Sequence, residues 1–136
     1  MCSFHLLLLM RHLSNAWQLL CCRFFFMVPP DMMEERFYNN RKWLMIRQSV
    51  LKRDGYICQL SKRYGKMKQA NTVHHIFPRD EFPQYQYDLW NLISLSAEKH
   101  NELHDRNTNA LTEQGVDLLR RTARRQGIPV PMRYQK

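Results

Sequence analysis

A chain of 136 residues has room for one small domain and not for two ordinary ones. Its net charge of +9, with an isoelectric point near 9.7, favours a polyanionic partner, nucleic acid before others. Cys2, Cys21, Cys22 and Cys58 are too unevenly placed to form a disulfide framework, and the pattern suits a reducing compartment.

The first stretch stands apart. Arg11 and Arg23 are the only formal charges in residues 1–30, so +7 of the charge belongs to residues 31–136. A spanning helix needs about 20 mostly apolar residues. Here Arg11, His12, Ser14, Asn15, Gln18 and Arg23 interrupt the run. A secretory leader wants a positive start and a small-residue cleavage site, and neither is present. Pro29-Pro30 breaks whatever precedes it, and Met32-Met33-Glu34-Glu35 reads as a natural start. Residues 1–31 are therefore expected to be an N-terminal extension upstream of the true start or poorly ordered, with the domain in 32–136. No stable membrane association is expected.

Asn40 is placed to cap a helix over 41–53. Trp43, Ile46 and Val50 recur there at helical spacing, and Gly55 suits the position just past its end. Residues 56–58 read as extended, and 61–68 as a basic loop that includes Lys62 and Arg63. A strand is predicted over 72–77, ended by Pro78, then an aromatic-rich loop over 79–90. Leu92–Leu95 reads as a second strand. Ser96 is a suitable N-cap for a helix running to about 105. A last helix is predicted over 112–126, with Val116, Leu119 and Ala123 inward and Gly127 and Pro129 ending it. Its C-terminal arginines suit the helix dipole and can equally follow a nucleic-acid backbone.

Four of the six histidines fall within the first strand and the helix that Ser96 begins: His74, His75, His100 and His104. Four residues apart on one helix, His100 and His104 share a face and can hold one ion with two imidazoles. His74 and His75 are neighbours on a strand, so their side chains point to opposite sides. Both cannot readily bind the same ion. One can be a ligand while the other stays available to take a proton from water. A zincin helix is excluded, because Asn101 rather than Glu follows His100. A two-cysteine, two-histidine finger is excluded too, since only Cys58 is available upstream.

Trp43, Arg47 and the run Val50-Leu51-Lys52-Arg53-Asp54-Gly55-Tyr56 with Cys58 are followed by Val73-His74-His75-Ile76 and Pro78. Then come Asn91-Leu92-Ile93-Ser94-Leu95, His100-Asn101 and His104, with Leu111-Thr112 and Gly115 opening the last helix. This order and spacing resemble the compact, phage-type HNH endonucleases over most of the chain after residue 31. The resemblance implies an α+β fold: a ββα-metal (HNH, or His-Me finger) core at about 72–105, with flanking N- and C-terminal helices. It implies that His74, His100 and His104 bind one divalent metal ion, Mg²⁺, Mn²⁺, Ni²⁺ or Zn²⁺. It implies that His75 is the general base and that Asn91 holds the inter-strand loop and orients that base. The implied reaction is hydrolysis of DNA, most readily double-stranded, to a 5′-phosphate and a 3′-hydroxyl. Lys62, Arg63, Arg79 and Arg106 are the candidate DNA contacts. A role in phage DNA packaging beside terminase, in the host cytoplasm, is also implied.

Related members often carry a structural zinc on two CxxC pairs. Here the corresponding positions read Cys58…Ser61 and Ser96…Lys99, so no four-cysteine site exists and packing must replace it. Trp43, Tyr56, Ile76, Trp90 and Leu95 are the expected core. The alternative to an enzyme is a catalytically inactive DNA-binding ββα module.

Overall fold

The computed structural model describes residues 35–135. The expected extension, 1–31, lies outside them. The site is built entirely within the compact unit that begins at Tyr38. No described helix is long and apolar enough to cross a membrane.

Helix α1, Arg41–Arg53, begins where Asn40 accepts a hydrogen bond from the Lys42 amide at 2.9 Å. Such a cap satisfies one of the amides that a helix start leaves unpaired. Trp43, Val50 and Leu51 are its buried residues. The chain leaves through Gly55 at φ +64°, a left-handed conformation that glycine adopts without steric cost. Tyr56 follows at φ +57°. That second left-handed residue turns the tyrosine outward, where its hydroxyl accepts from Gln48 at 2.7 Å. Tyr56 is 41% exposed, so it does not belong to the core expected for it.

A one-turn helix, α2, Gln59–Lys62, takes in the first two residues of the stretch expected as a basic loop. Behind it Cys58 and Ser61 are buried, with the Ser61 hydroxyl donating to the Cys58 sulfur at 3.3 Å. A small polar cluster occupies this corner, where packing and hydrogen bonds supply the cohesion.

The sheet has two antiparallel strands, β1 (Thr72–His75) and β2 (Leu92–Leu95), with His74 opposite Ile93 and His75 opposite Leu92. β1 is shorter than the predicted 72–77. Beyond His75 the backbone turns to Asn91: the Ile76 amide donates to the Asn91 carbonyl at 2.9 Å, and the Phe77 amide to its side-chain oxygen at 2.7 Å.

Helix α3, Ala97–Leu103, is capped by Ser96, whose hydroxyl accepts from the Lys99 amide. Helix α4, Glu113–Gln126, is capped by Thr112 and stopped by Gly127 in the left-handed region. It buries Gly115, Leu118, Leu119, Thr122 and Ala123, while Val116 is only half-buried. At Gly115 the two helices nearly touch: an added Cβ would lie 2.7 Å from the Leu103 carbonyl oxygen. The core is Trp43, Val50, Ile76, Phe77, Leu92, Leu95, Leu103 and Leu119. Trp90 is half-buried rather than internal. Two strands followed by a helix, flanked by α1 and α4, make the architecture α+β.

Candidate metal centre and catalytic histidine

Adjacent positions on β1 send the two strand histidines in opposite directions. His74, 3% exposed, faces α3. Its ring centroid lies 5.3 Å from that of His100 and 5.0 Å from that of His104. One nitrogen from each of the three rings falls within 4.8 Å of the others.

The helix expected to carry both His100 and His104 ends one residue early. α3 stops at Leu103, and His104 is its C-cap, with extended backbone at φ −121° and ψ 139°. The cause is the next turn. Asp105 accepts at one carboxylate oxygen from the Asn107 and Thr108 amides and the Thr108 hydroxyl. His104 pairs with Leu111 in an isolated bridge. Its imidazole still reaches the cluster, with Nε2 lying 3.3 Å from His74 Nδ1. His104 Nδ1 lies 3.0 Å from the Asn109 carbonyl oxygen. A carbonyl only accepts, so Nδ1 carries the proton and Nε2 presents a lone pair to the cluster.

The donor set fits a cation. Two nitrogens bound tetrahedrally to one ion at about 2.0–2.1 Å stand roughly 3.3 Å apart, the separation found between His74 and His104. Burial, with His104, His100 and His75 nearby, drives the His74 imidazole well below its ordinary pKa. Burial and then His104 lower His100 as well. Both rings are therefore neutral at neutral pH, the form that binds metal. Among the described residues, buried His74 Nε2 has no hydrogen-bond partner.

His75 faces the other way. Its ring stacks on Trp43 of α1, with centroids 4.9 Å apart and planes 19° from parallel. It is 7% exposed, so it is packed against a neighbour rather than open to a cleft. Its Nε2 lies 3.0 Å from the Gln86 carbonyl oxygen. That bond protonates Nε2 and leaves Nδ1 as the basic nitrogen of the neutral ring. Burial lowers the His75 pKa, and the Gln86 carbonyl offsets part of that effect.

Asn91 holds the segment that supplies this carbonyl. Fully buried, it accepts from the Phe77 amide at 2.7 Å and donates to the Phe77 carbonyl at 3.3 Å and the Tyr85 carbonyl at 3.0 Å. The loop is thus pinned one residue before Gln86.

Among solved structures, that of the HNH endonuclease of the deep-sea thermophilic bacteriophage GVE2, crystallised with a manganese ion, is similar to this chain. The two share 34% identity at a TM-score of 0.50, over 52% of this chain and 77% of that one. The chain belongs to the HNH endonuclease family. No family model and no curated protein matches it.

As an HNH family member the chain has the ββα-metal fold, formed by β1, β2 and α3. The structure brings His74, His100 and His104 together, while His75 stacks on Trp43 and Asn91 is bonded to Phe77 and Tyr85. Of the four cations expected at DNA, Lys62, Arg63 and Arg106 are exposed. Arg79 is held by Asp80 at 3.0 Å and lies over the Tyr38 ring at 5.3 Å.

Three contributors to the site escape a reading by residue type. Gln86 and Asn109 act through backbone carbonyls, which any residue would supply. Trp43 reads as an ordinary core aromatic until its stack on His75 is seen. The Asp105-x-x-Thr108 turn is the available signal for His104, since such side chains cap local backbone and compete with a continuing helix.

Proposed function

We propose that this protein is a metal-dependent endonuclease that hydrolyses DNA phosphodiester bonds to 5′-phosphate and 3′-hydroxyl ends. The observation that carries the reading is the division of labour on β1. His74 joins two other imidazoles in a cation-sized cluster, while His75 is held at Nε2 with its basic nitrogen set by Gln86. The nuclease unit is residues 32–136, with its core at 72–105.

His74, His100 and His104 are the residues that hold the metal. When bound, the ion supplies positive charge at the scissile phosphate and at the departing oxygen. His75 Nδ1 takes a proton from water as the water oxygen forms a bond to phosphorus. The bond from phosphorus to the 3′ oxygen breaks, and that oxygen leaves as a hydroxyl after gaining a proton from solvent. Asn91 positions the base through the loop. Three imidazoles suit Zn²⁺ and Ni²⁺ well, while Mg²⁺ prefers oxygen ligands. Lys62, Arg63, Arg79 and Arg106 are the proposed DNA contacts. Similarity to a bacteriophage enzyme supports a phage origin, and a place beside terminase in packaging rests on the family resemblance.

The test is plasmid cleavage with Mg²⁺, Mn²⁺, Ni²⁺ or Zn²⁺, repeated with His75→Ala. Nicked or linear product with at least one metal, lost in the variant, is expected. Inactivity with every metal, or an unaffected variant, overturns the assignment; DNA binding without cutting then identifies an inactive ββα module.

A further inference from the structure

A groove of about 520 Å³ lies away from the histidine cluster, which contributes nothing to its walls. Its floor includes Ile76, Trp90 and Ile93, and its rim carries Lys62 and Arg63 from the end of α2 and Arg125 from the last turn of α4. These cations come from segments some sixty residues apart in sequence, brought together by the fold. All three are exposed, and among the described residues none has an ion-pair partner.

The other charges on the groove are already committed. Arg53 donates to both Asp54 carboxylate oxygens and to the carbonyls of Leu89 and Leu92. Asp54 also accepts from the Ser94 amide at 3.0 Å. The net field of the rim is therefore positive, with no exposed carboxylate to answer it.

We infer that Lys62 and Arg63 do not contact the DNA at the histidine cluster but act with Arg125 in this groove, which holds the sugar-phosphate backbone of the duplex beside the segment being cut. The inference rests on the proposed DNA substrate and adds where the flanking duplex lies. A free phosphate is a poor occupant, because three long exposed side chains must each be ordered around one small ion. A polymer with repeating charge satisfies the cations separately and gains from release of its condensed counterions.

The test is equilibrium binding of a short fluorescent DNA duplex to the full chain, with chelator present to prevent cutting, across a series of salt concentrations. Removing one cation that neutralises a phosphate should reduce the slope of log affinity against log salt by about one. The variant Lys62→Ala/Arg63→Ala/Arg125→Ala is compared with Arg41→Ala/Lys52→Ala/Arg124→Ala, which removes equal charge outside the groove. Circular dichroism confirms that both fold, and Arg125→Glu alone serves if the triple variant does not. The groove variant is expected to lose about three from the slope, or more than the control in any case, and to bind at least tenfold more weakly than the control. Equal slopes and affinities for the two variants overturn the groove assignment while leaving the nuclease reading intact. A wild-type chain that binds no duplex overturns both.

Discussion

Tyr134 reaches back to Glu81: its hydroxyl lies 2.9 and 3.0 Å from the two carboxylate oxygens, one donated hydrogen bond shared between two acceptors. Arg133 pairs with the same carboxylate at 3.0 Å, and Arg120 donates to the Tyr134 carbonyl at 2.7 Å. The C-terminal segment is thereby tied to the loop that carries Gln86, whose carbonyl fixes His75. Burial, then the Glu81 hydrogen bond, pushes the Tyr134 phenol up to about 12, so the hydroxyl remains a donor throughout the neutral range.

Tyr134→Phe keeps the ring and removes the donor. Stability should fall by about 1 kcal/mol, the net worth of one such hydrogen bond. Cleavage should slow through kcat, by up to about 100-fold if the base is displaced, with KM little changed. Denaturant melts and steady-state rates check this. A KM effect alone would place Tyr134 in DNA binding instead.

Gly115→Ala should destabilise the protein by about 1–3 kcal/mol, although alanine is ordinarily the better helix former. The added methyl would meet the Leu103 carbonyl oxygen at 2.7 Å, and backbone cannot step aside as a flexible side chain can. His104 follows Leu103 directly, so metal affinity should weaken as well. Thermal unfolding and metal titration of the variant test both effects.

Acid sensitivity should be traceable to Asp54. Burial alone would raise this carboxyl, but the hydrogen bonds from Arg53 and Ser94 outweigh it and hold its pKa below the ordinary value. A folded-state pKa below the unfolded one means that the unfolded chain binds the proton more readily. The stabilisation is therefore fully present above the ordinary carboxylate range and is lost as pH falls through the depressed value. Asp54→Asn should be less stable than wild type near pH 7 by about 1–3 kcal/mol. The gap should narrow in acid, as unfolding measured at successive pH values will reveal.

Metal should stabilise the fold, because it binds the assembled cluster and not the unfolded chain. At about 100 times its dissociation constant an ion contributes about 2.7 kcal/mol. For a domain of this size that is a rise in Tm on the order of 10 °C. Chelator should reverse the rise, and His74→Ala should abolish it. An equal rise in that variant would locate the ion elsewhere.

Much of this architecture is legible in the sequence because local rules and the tertiary fold agree. Asn40 and Ser96 cap the helices that their positions imply, and Leu92–Leu95 is a strand at its predicted bounds. Differences arise where a side chain diverts the backbone. Asn91 takes the Phe77 amide and ends β1 early, and Asp105 closes a turn that releases His104 from α3. The histidine grouping is legible even so, because a ligand one residue beyond a helix end still lies near the turn before it. What holds each imidazole in place is hidden, since Gln86 and Asn109 contribute only carbonyl oxygens.

The central claim is that the two strand histidines have different duties, His74 holding the ion with His100 and His104 while His75 remains off it. Calorimetric titration of Mn²⁺ or Zn²⁺ into the wild type and the four single His→Ala variants tests this without requiring DNA or turnover. One ion per chain is predicted, bound at least tenfold more weakly in the position 74, 100 and 104 variants and with nearly unchanged affinity in His75→Ala. Loss of binding in His75→Ala, or full affinity after removal of His74, would contradict the account.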